Sequence, residues 1–277
     1  MPNDFNHAVI EEFRANAGRV GGWFEGARLL LLTTTGTRTR APHTTPLGYL
    51  PDGGQRMLVI ASAGGSPKHP QWYHNLLADP LVTVEDGVFT YQARAEVLTG
   101  DDRDRAFARA VQADPGWAEY ERQAGRRLPV VALSPLPAPP TPPPGPPGAA
   151  LTAVHDAFRR ELALIRQEVA AAGPTVGAQL RVNCLSLCEG LRGHHEREDA
   201  GMFPWLAAHR PDLAEVLARL DAEHQAMAAL LDELRTVLAT PTVDREVLRD
   251  EVERLTDQVQ AHLAYEEEHL VPILNAG

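Results

Sequence analysis

Between Ser134 and Gly148 the chain reads SPLPAPPTPPPGPPG, nine prolines in fifteen residues. Proline fixes φ and has no N–H to donate, so a run this dense is expected to form neither helix nor sheet and to take the extended polyproline II form. At about 3.1 Å per residue it reaches up to roughly 45 Å and reads as a spacer. The 277 residues therefore divide into a domain over 1–133, a linker over 134–148 and a domain over 149–277. Both are of ordinary domain size.

The first part reads as strands and helices together. ARLLLLTTTG, TTPLGYL, RMLVIAS, PLVTVED, FTYQARAEVL and LPVVAL are rich in aliphatic, Thr and Tyr residues, and PDGG, AGGSP and EDG punctuate them as turns. Helical periodicity is expected over about Asn3–Ala17, Pro70–Ala78 and Asp101–Gln123. Strands that follow one another with helices at the margins predict an α+β fold built on a small barrel. After the linker no strand pattern survives. Four helices are expected, broken at AAGPT, HRPD and ATPTVD, each break carrying proline, and short loops between long helices predict an up-down four-helix bundle.

Within that bundle one pattern occurs twice. GHHEREDAGMFPWL places His194 four residues before Glu198, with Phe203-Pro204 beyond; AHLAYEEEHLVPIL places His262 four before Glu266, with Val271-Pro272 in the same register. Residues four apart share a helix face. The first and third helices add His155 and His224. At about 1.5 Å per residue all four histidines fall roughly 9 to 18 Å below one end of the bundle. Four imidazoles and two carboxylates at one level suit a pair of iron or manganese ions, with carboxylates bridging and histidines terminal. His195 is the rival of His194; it, Glu196, His209 and His269 are otherwise expected at the surface or in supporting positions.

The net charge of −11 argues against nucleic acid, and the acidity belongs to the second part, where 12 Lys/Arg face 22 Asp/Glu over residues 149–277. Cys184 and Cys188, one helical turn apart, are expected to be small apolar groups on a buried face. The first residues are polar, and the longest aliphatic run, Leu29–Leu32, is far too short to span a bilayer. A soluble, cytoplasmic protein is expected.

The stretch from His155 to Pro272 resembles a hemerythrin-type HHE cation-binding domain, whose pattern is His, HxxxE, His, HxxxE on successive helices. The resemblance implies a non-haem di-iron centre that meets dioxygen, nitric oxide or peroxide. Where oxygen carriers of that family have a second histidine one turn after the first on helix three, this chain has Ala228, which leaves one iron a ligand short.

In the first part, two strand exits carry cations and glycines. One holds Arg38, Arg40 and His43; the other holds Gly64, Gly65, Ser66 and Lys68 ahead of a helix. Glycines let backbone N–H groups approach an anion, and cations favour it, so the two exits together would cradle a phosphorylated ligand. The segments EEFRANAGRVGGWFEGARLLLLTTTG, ASAGGSPKHPQWYHNLLADPLVTVE, ARAEVLTGDDRDRAF and LPVVAL resemble the deazaflavin-dependent nitroreductase family, which uses coenzyme F420. That resemblance implies a split β-barrel of the flavin-reductase type, with the cofactor phosphate at Arg38, Arg40 and His43 and the ring system against Pro46, Ala61, Ser62, Ala63 and Gly64. Gly65, Lys68 and Trp72 complete the cofactor set, and Tyr120 is the candidate proton donor. The implied activity is hydride transfer from F420 to a small, apolar, quinone- or nitro-like substrate. FMN is the alternative cofactor, and the alternative function is a sensor or buffer of oxygen, nitric oxide or iron whose barrel only binds a flavin-like ligand.

Overall fold

A computed structural model describes residues 4–240 and 242–276. The chain divides after Pro143 into two compact units, with Gly177–Gln179 grouped with the first. Asn3, at the expected start of the first helix, and Pro241, in the last expected break, lie outside the described residues.

The first unit is a closed barrel of six strands: β1 (Leu29–Thr35), β2 (Pro42–Pro51), β3 (Met57–Ile60), β4 (Leu81–Glu85), β5 (Thr90–Val97) and β6 (Val130–Pro135). They close in the order β1-β2-β3-β6-β5-β4, every pair antiparallel. Closure leaves no open sheet edge. The four leucines of β1 show how the barrel is covered. Leu30 and Leu32 point into the barrel core with Val59, Val82, Val84, Val131 and Leu133, while Leu29 and Leu31 pack on the other face against Val9 and Phe13 of helix α1 (Asp4–Ala15). β6 does the same, its Val130 and Ala132 covered by Phe107 and Ala110 of α3 (Gly100–Ala113) and Ala124 of α4 (Gly116–Ala124). A strand buried on both faces needs a continuous apolar run rather than alternation.

Two expectations change. The single helix expected over Asp101–Gln123 is two, because Pro115 disfavours a helical Asp114; Asp114 is extended (φ −144°) and its carboxylate accepts the Gly116 N–H at 2.8 Å. The proline stretch is also less irregular than its composition suggests. β6 runs on to Pro135, Thr141 bridges to Thr90, and Pro147 opens the next helix, where a missing N–H costs nothing.

The second unit is helical: α5 (Pro147–Ala171), α6 (Ala178–Arg197), α7 (Phe203–His209), α8 (Ala214–Ala239) and α9 (Arg245–Ala276). A π-helical turn over Glu198–Met202 joins α6 to α7, so the expected second helix is present but widened by one turn. Its main core holds Leu162, Ile165, Leu191, Leu231, Val259 and Leu263, with Cys184 and Cys188 buried among them. Burial pushes the Cys188 thiol up to about 12, so it stays protonated. A smaller cluster holds Phe203, Leu206, Leu220 and Leu270.

Helix α2 (Gln71–Ala78) is tied to β1 by one buried side chain. Asn75 donates from Nδ2 to Thr34 Oγ1 at 3.0 Å, and its Oδ1 accepts from Thr37 N at 3.4 Å and from Gln71 Nε2 at 3.0 Å. Replacing Asn75 by Leu leaves the Thr34 hydroxyl only its long bond to His43 O at 3.5 Å and takes the acceptor from the Thr37 N–H, and should lower barrel stability by about 1–3 kcal/mol. Urea denaturation followed on the barrel's own unfolding step checks this.

Candidate functional site

In the helical unit the six residues expected at one level come together, and a seventh joins them. His155, His194, Glu198 and Glu266 form one cluster; His195, His224 and His262 form the other. All seven are buried, the most exposed at 5%. The ring of His195 stacks on that of His224, centroids 4.2 Å apart and planes 18° from parallel, and lies 5.3 Å from His262. His195 therefore faces inward beside His194, rather than lying at the surface or standing in for it. With His195 present, the Ala228 position of α8 does not leave the second cluster an imidazole short. Glu196 and His209 are exposed, and His269 stacks on Tyr265.

The two carboxylates reach both clusters. Glu198 sets Oε1 3.0 Å from His194 Nε2 and Oε2 3.7 Å from His224 Nε2. Glu266 Oε2 is 3.4 Å from His155 Nε2 and 3.7 Å from His262 Nε2. Behind the rings stands a set of acids that spacing alone does not reveal. His155 Nδ1 donates to Glu267 at 2.9 Å, His224 Nδ1 to Asp199 at 2.7 Å and His262 Nδ1 to Glu223 at 2.9 Å. Arg159 and Arg219 hold Glu267 and Glu223 in turn, each at 2.8 Å. A carboxylate on Nδ1 fixes the tautomer and leaves the Nε2 lone pair turned inward. The sequence signal, legible only afterwards, is that each acid is the immediate neighbour of an inward residue.

What the layer lacks is partners. His155 Nε2, His194 Nε2, His195 Nε2 and both oxygens of Glu198 and Glu266 are inaccessible and make no hydrogen bond, while His224 Nε2 and His262 Nε2 face each other at 3.2 Å. Burial holds His194 and His195 neutral, with the neighbouring imidazoles adding to it. Burial first, and the Glu266 carboxylate second, push Glu198 up to about 10. Neutral imidazoles with free lone pairs beside carboxyl groups stripped of water are a donor set for cations.

In the barrel, the β1–β2 turn carries Arg38 and Arg40 and the start of β2 carries His43, all three exposed. Arg40 sits at φ 57° with its guanidinium 3.7 Å from Asp79, and a Cβ on Gly36 would meet His43 Nε2 at 2.7 Å, so the imidazole closes over that glycine. The second strand exit leaves β3 as a short turn with three consecutive positive φ values, Ala63 at 49°, Gly64 at 61° and Gly65 at 80°. For Ala63 this is strained backbone of the kind kept at ligand sites. Lys68 N donates to Ser66 Oγ at 3.2 Å, and the Lys68 side chain is exposed. A Cβ on Gly65 would lie 2.6 Å from Gln123 Oε1 and 3.5 Å from the ring of Tyr120, so α4 sets the partly exposed Tyr120 against this turn. Ser62 and Pro46 are half-buried. Ala61 and Trp72 pack into the barrel core, so packing accounts for their side chains.

Glu198 gives the metal-free layer a pH signature. The folded state keeps its proton from about pH 4.5, where the unfolded chain releases it, up to about 10, so its contribution to stability falls as pH rises through that window. The lowered pKa values of His194, His195 and His262 act the opposite way, raising stability with pH only below about 6.5. Chelated protein should therefore melt at lower temperature as pH rises from about 7 to 9, by at most about 1.4 kcal/mol per unit for one proton. Calorimetry of wild type and Glu198→Gln reads this; a wild-type slope no steeper than the variant's contradicts it.

The comparisons with known proteins follow the division of the chain. The model of the F420H(2)-dependent quinone reductase family matches residues 6–135, and that of the hemerythrin HHE cation-binding domain matches residues 147–274. Relatives include F420H(2)-dependent quinone reductases of Mycobacterium tuberculosis and a putative one of Mycobacterium bovis, each 36% identical over 126 residues, which are 44% of this chain and 84% of theirs. A solved F420-H2 dependent reductase (FDR-A) is 36% identical, with 39% of this chain and 94% of that one covered at a TM-score of 0.36. No described helix is long and apolar enough to cross a membrane. The chain belongs, through its barrel, to the F420H(2)-dependent quinone reductase family, and it carries a hemerythrin HHE domain as its second half.

Proposed function

We propose that this protein is an F420-dependent reductase of a small quinone-like acceptor whose second domain holds two iron ions. The observation that carries the metal half is the sharing of Glu198 and Glu266 between the two histidine clusters. One ion would take His155 and His194, the other His195, His224 and His262, with both carboxylates offered to each. The orphaned Nε2 and carboxylate oxygens fit this assignment, since cations satisfy every one of them. Nitrogen and oxygen donors without thiolate favour iron or manganese over a structural zinc. When bound, such a pair supplies two one-electron redox centres for dioxygen, peroxide or nitric oxide. The chain's own part is to hold the imidazoles by Glu267, Asp199 and Glu223 and to keep water out.

In the barrel, Arg38, Arg40, His43 and Lys68 offer the cationic surface for a phosphorylated cofactor, and the strained turn from Ser62 to Gly65 offers backbone against its ring system. The deazaflavin, when bound, supplies the hydride. The ring of Tyr120 lies against Gly65 and the residue is partly exposed, which supports it as the proton donor to the reduced acceptor. A sensor whose barrel merely binds a flavin is the competing function, and turnover separates the two.

Purified protein should contain about two irons per chain and show near-ultraviolet bands of a bridged diferric pair, and the His262→Ala, Glu266→Ala double variant should lose most of that metal. Undiminished iron in the double variant rules out the ligand set. With reduced F420 and a soluble quinone, Tyr120→Phe should lower kcat about a hundredfold at unchanged F420 affinity. Wild type without turnover favours the sensor; a variant within twofold of wild type removes Tyr120 from proton delivery.

A further inference from the structure

The turn that carries the cofactor residues is held by a side chain so far without a role. α4 ends at Gly125 in the left-handed conformation (φ 61°), and the next residue, Arg126, folds back toward β3. Its Nη2 donates to Ala61 O at 3.2 Å, Ser62 O at 3.5 Å and Lys68 O at 3.1 Å. One nitrogen thus ties both ends of the 61–68 segment, whose middle is the strained Ala63–Gly65 turn. Tyr120, Gln123 and Arg126 sit three residues apart along one strap, and all three touch that segment.

The guanidinium is only partly satisfied. Nε and Nη1 are inaccessible to solvent and have no hydrogen-bond partner, and no carboxylate pairs with Arg126 among the described residues. An arginine keeps its charge at any ordinary pH, so a half-buried guanidinium with two inaccessible, unsatisfied nitrogens is a costly group whose remaining donors call for an acceptor, best an anionic one. His69, directly after the segment, also has an inaccessible Nδ1 without a partner. Burial first, and the charge of Arg126 second, lower the His69 pKa, which keeps that ring a neutral neighbour rather than a competing cation. Nearby carboxylates are taken up elsewhere, Glu121 by Arg103 and Glu119 by Arg122.

We infer that Arg126 is a cofactor-positioning residue: it clamps the 61–68 turn through Nη2 and donates its free N–H groups to an oxygen acceptor of the bound deazaflavin. The inference rests on the F420 reading of the barrel. The acceptor carries negative charge in either of two places, the pyrimidine edge of the ring system or the phosphate of the side chain, and both present oxygen to a guanidinium.

The test uses full-length protein, with Arg126→Gln and Arg126→Lys. In ligand-free Arg126→Gln, amides 61–68 should exchange deuterium faster while the barrel strands exchange as in wild type. The F420 Kd, read by cofactor fluorescence, should rise about ten- to hundredfold, the worth of hydrogen bonds to a charged donor. Arg126→Lys should recover part of the affinity, because the charge remains, but little of the protection, because the three-carbonyl clamp is lost. A parallel titration with the deazaflavin nucleoside analogue that lacks phosphate locates the acceptor: an equal loss puts it on the ring, and a loss seen only with F420 puts it on the phosphate. Unchanged F420 affinity in Arg126→Gln overturns the inference, as does unchanged exchange over 61–68. Wild type that binds FMN and not F420 overturns the cofactor reading instead; the clamp is then still read in the ligand-free exchange and the donor role in the FMN Kd.

Discussion

Seven imidazole and carboxyl groups, buried together inside a helical bundle with most of their inward atoms unpartnered, are the constraint on which the second domain turns. A polar group taken from water without a hydrogen bond costs on the order of 2–7 kcal/mol by transfer, and several sit here side by side. Apolar packing on both sides makes such a layer costly when it is not completed, which favours a cation among these atoms. Salt bridges of Arg159 with Glu267 and of Arg219 with Glu223 point the outer acids at the rings, so the imidazoles are aimed before any ion arrives. The π-helical turn at Glu198 belongs to the same device. It carries Asp199 to His224 while Glu198 stays with His194, and a wide turn within a helix is where ligands are commonly placed.

Much of this was legible in the residues. The six strands of the barrel were marked by aliphatic runs between glycine turns, and the meeting of His155, His194, Glu198, His224, His262 and Glu266 followed from helical rise and the repeated HxxxE spacing. His195 was legible only as a rival of His194, because adjacent residues on a helix point about 100° apart and only one of the two was expected to face inward. The structure turns both inward, His194 into one cluster and His195 into the other. The acids behind the rings, Asp199, Glu223 and Glu267, carried no spacing signal of their own. The proline stretch was over-read in a different way: prolines at a strand's end and at a helix's first turn lose no needed hydrogen bond, so β6 and α5 both extend into it.

In the barrel the legible part was the pair of strand exits, and the illegible part was what shapes them. Nothing in GRRLPV says that Arg126 turns back on three carbonyls, nor does WAEYERQ say that Gln123 and Tyr120 rest on Gly65. These contacts join residues about sixty positions apart and depend on closure of the barrel between β3 and β6. Trp72 shows the converse: an aromatic expected among the cofactor residues whose side chain packs into the barrel core. In both halves an apolar scaffold leaves a few buried polar atoms without partners.

The central claim is that the helical layer holds two metal ions sharing Glu198 and Glu266. Anomalous diffraction from crystals of the iron-loaded protein, collected on either side of the iron edge, tests it most directly. Two iron peaks are predicted, one beside His155 and His194 and one among His195, His224 and His262, both in contact with the two glutamates. A single peak, or iron bound away from these residues, would contradict the account.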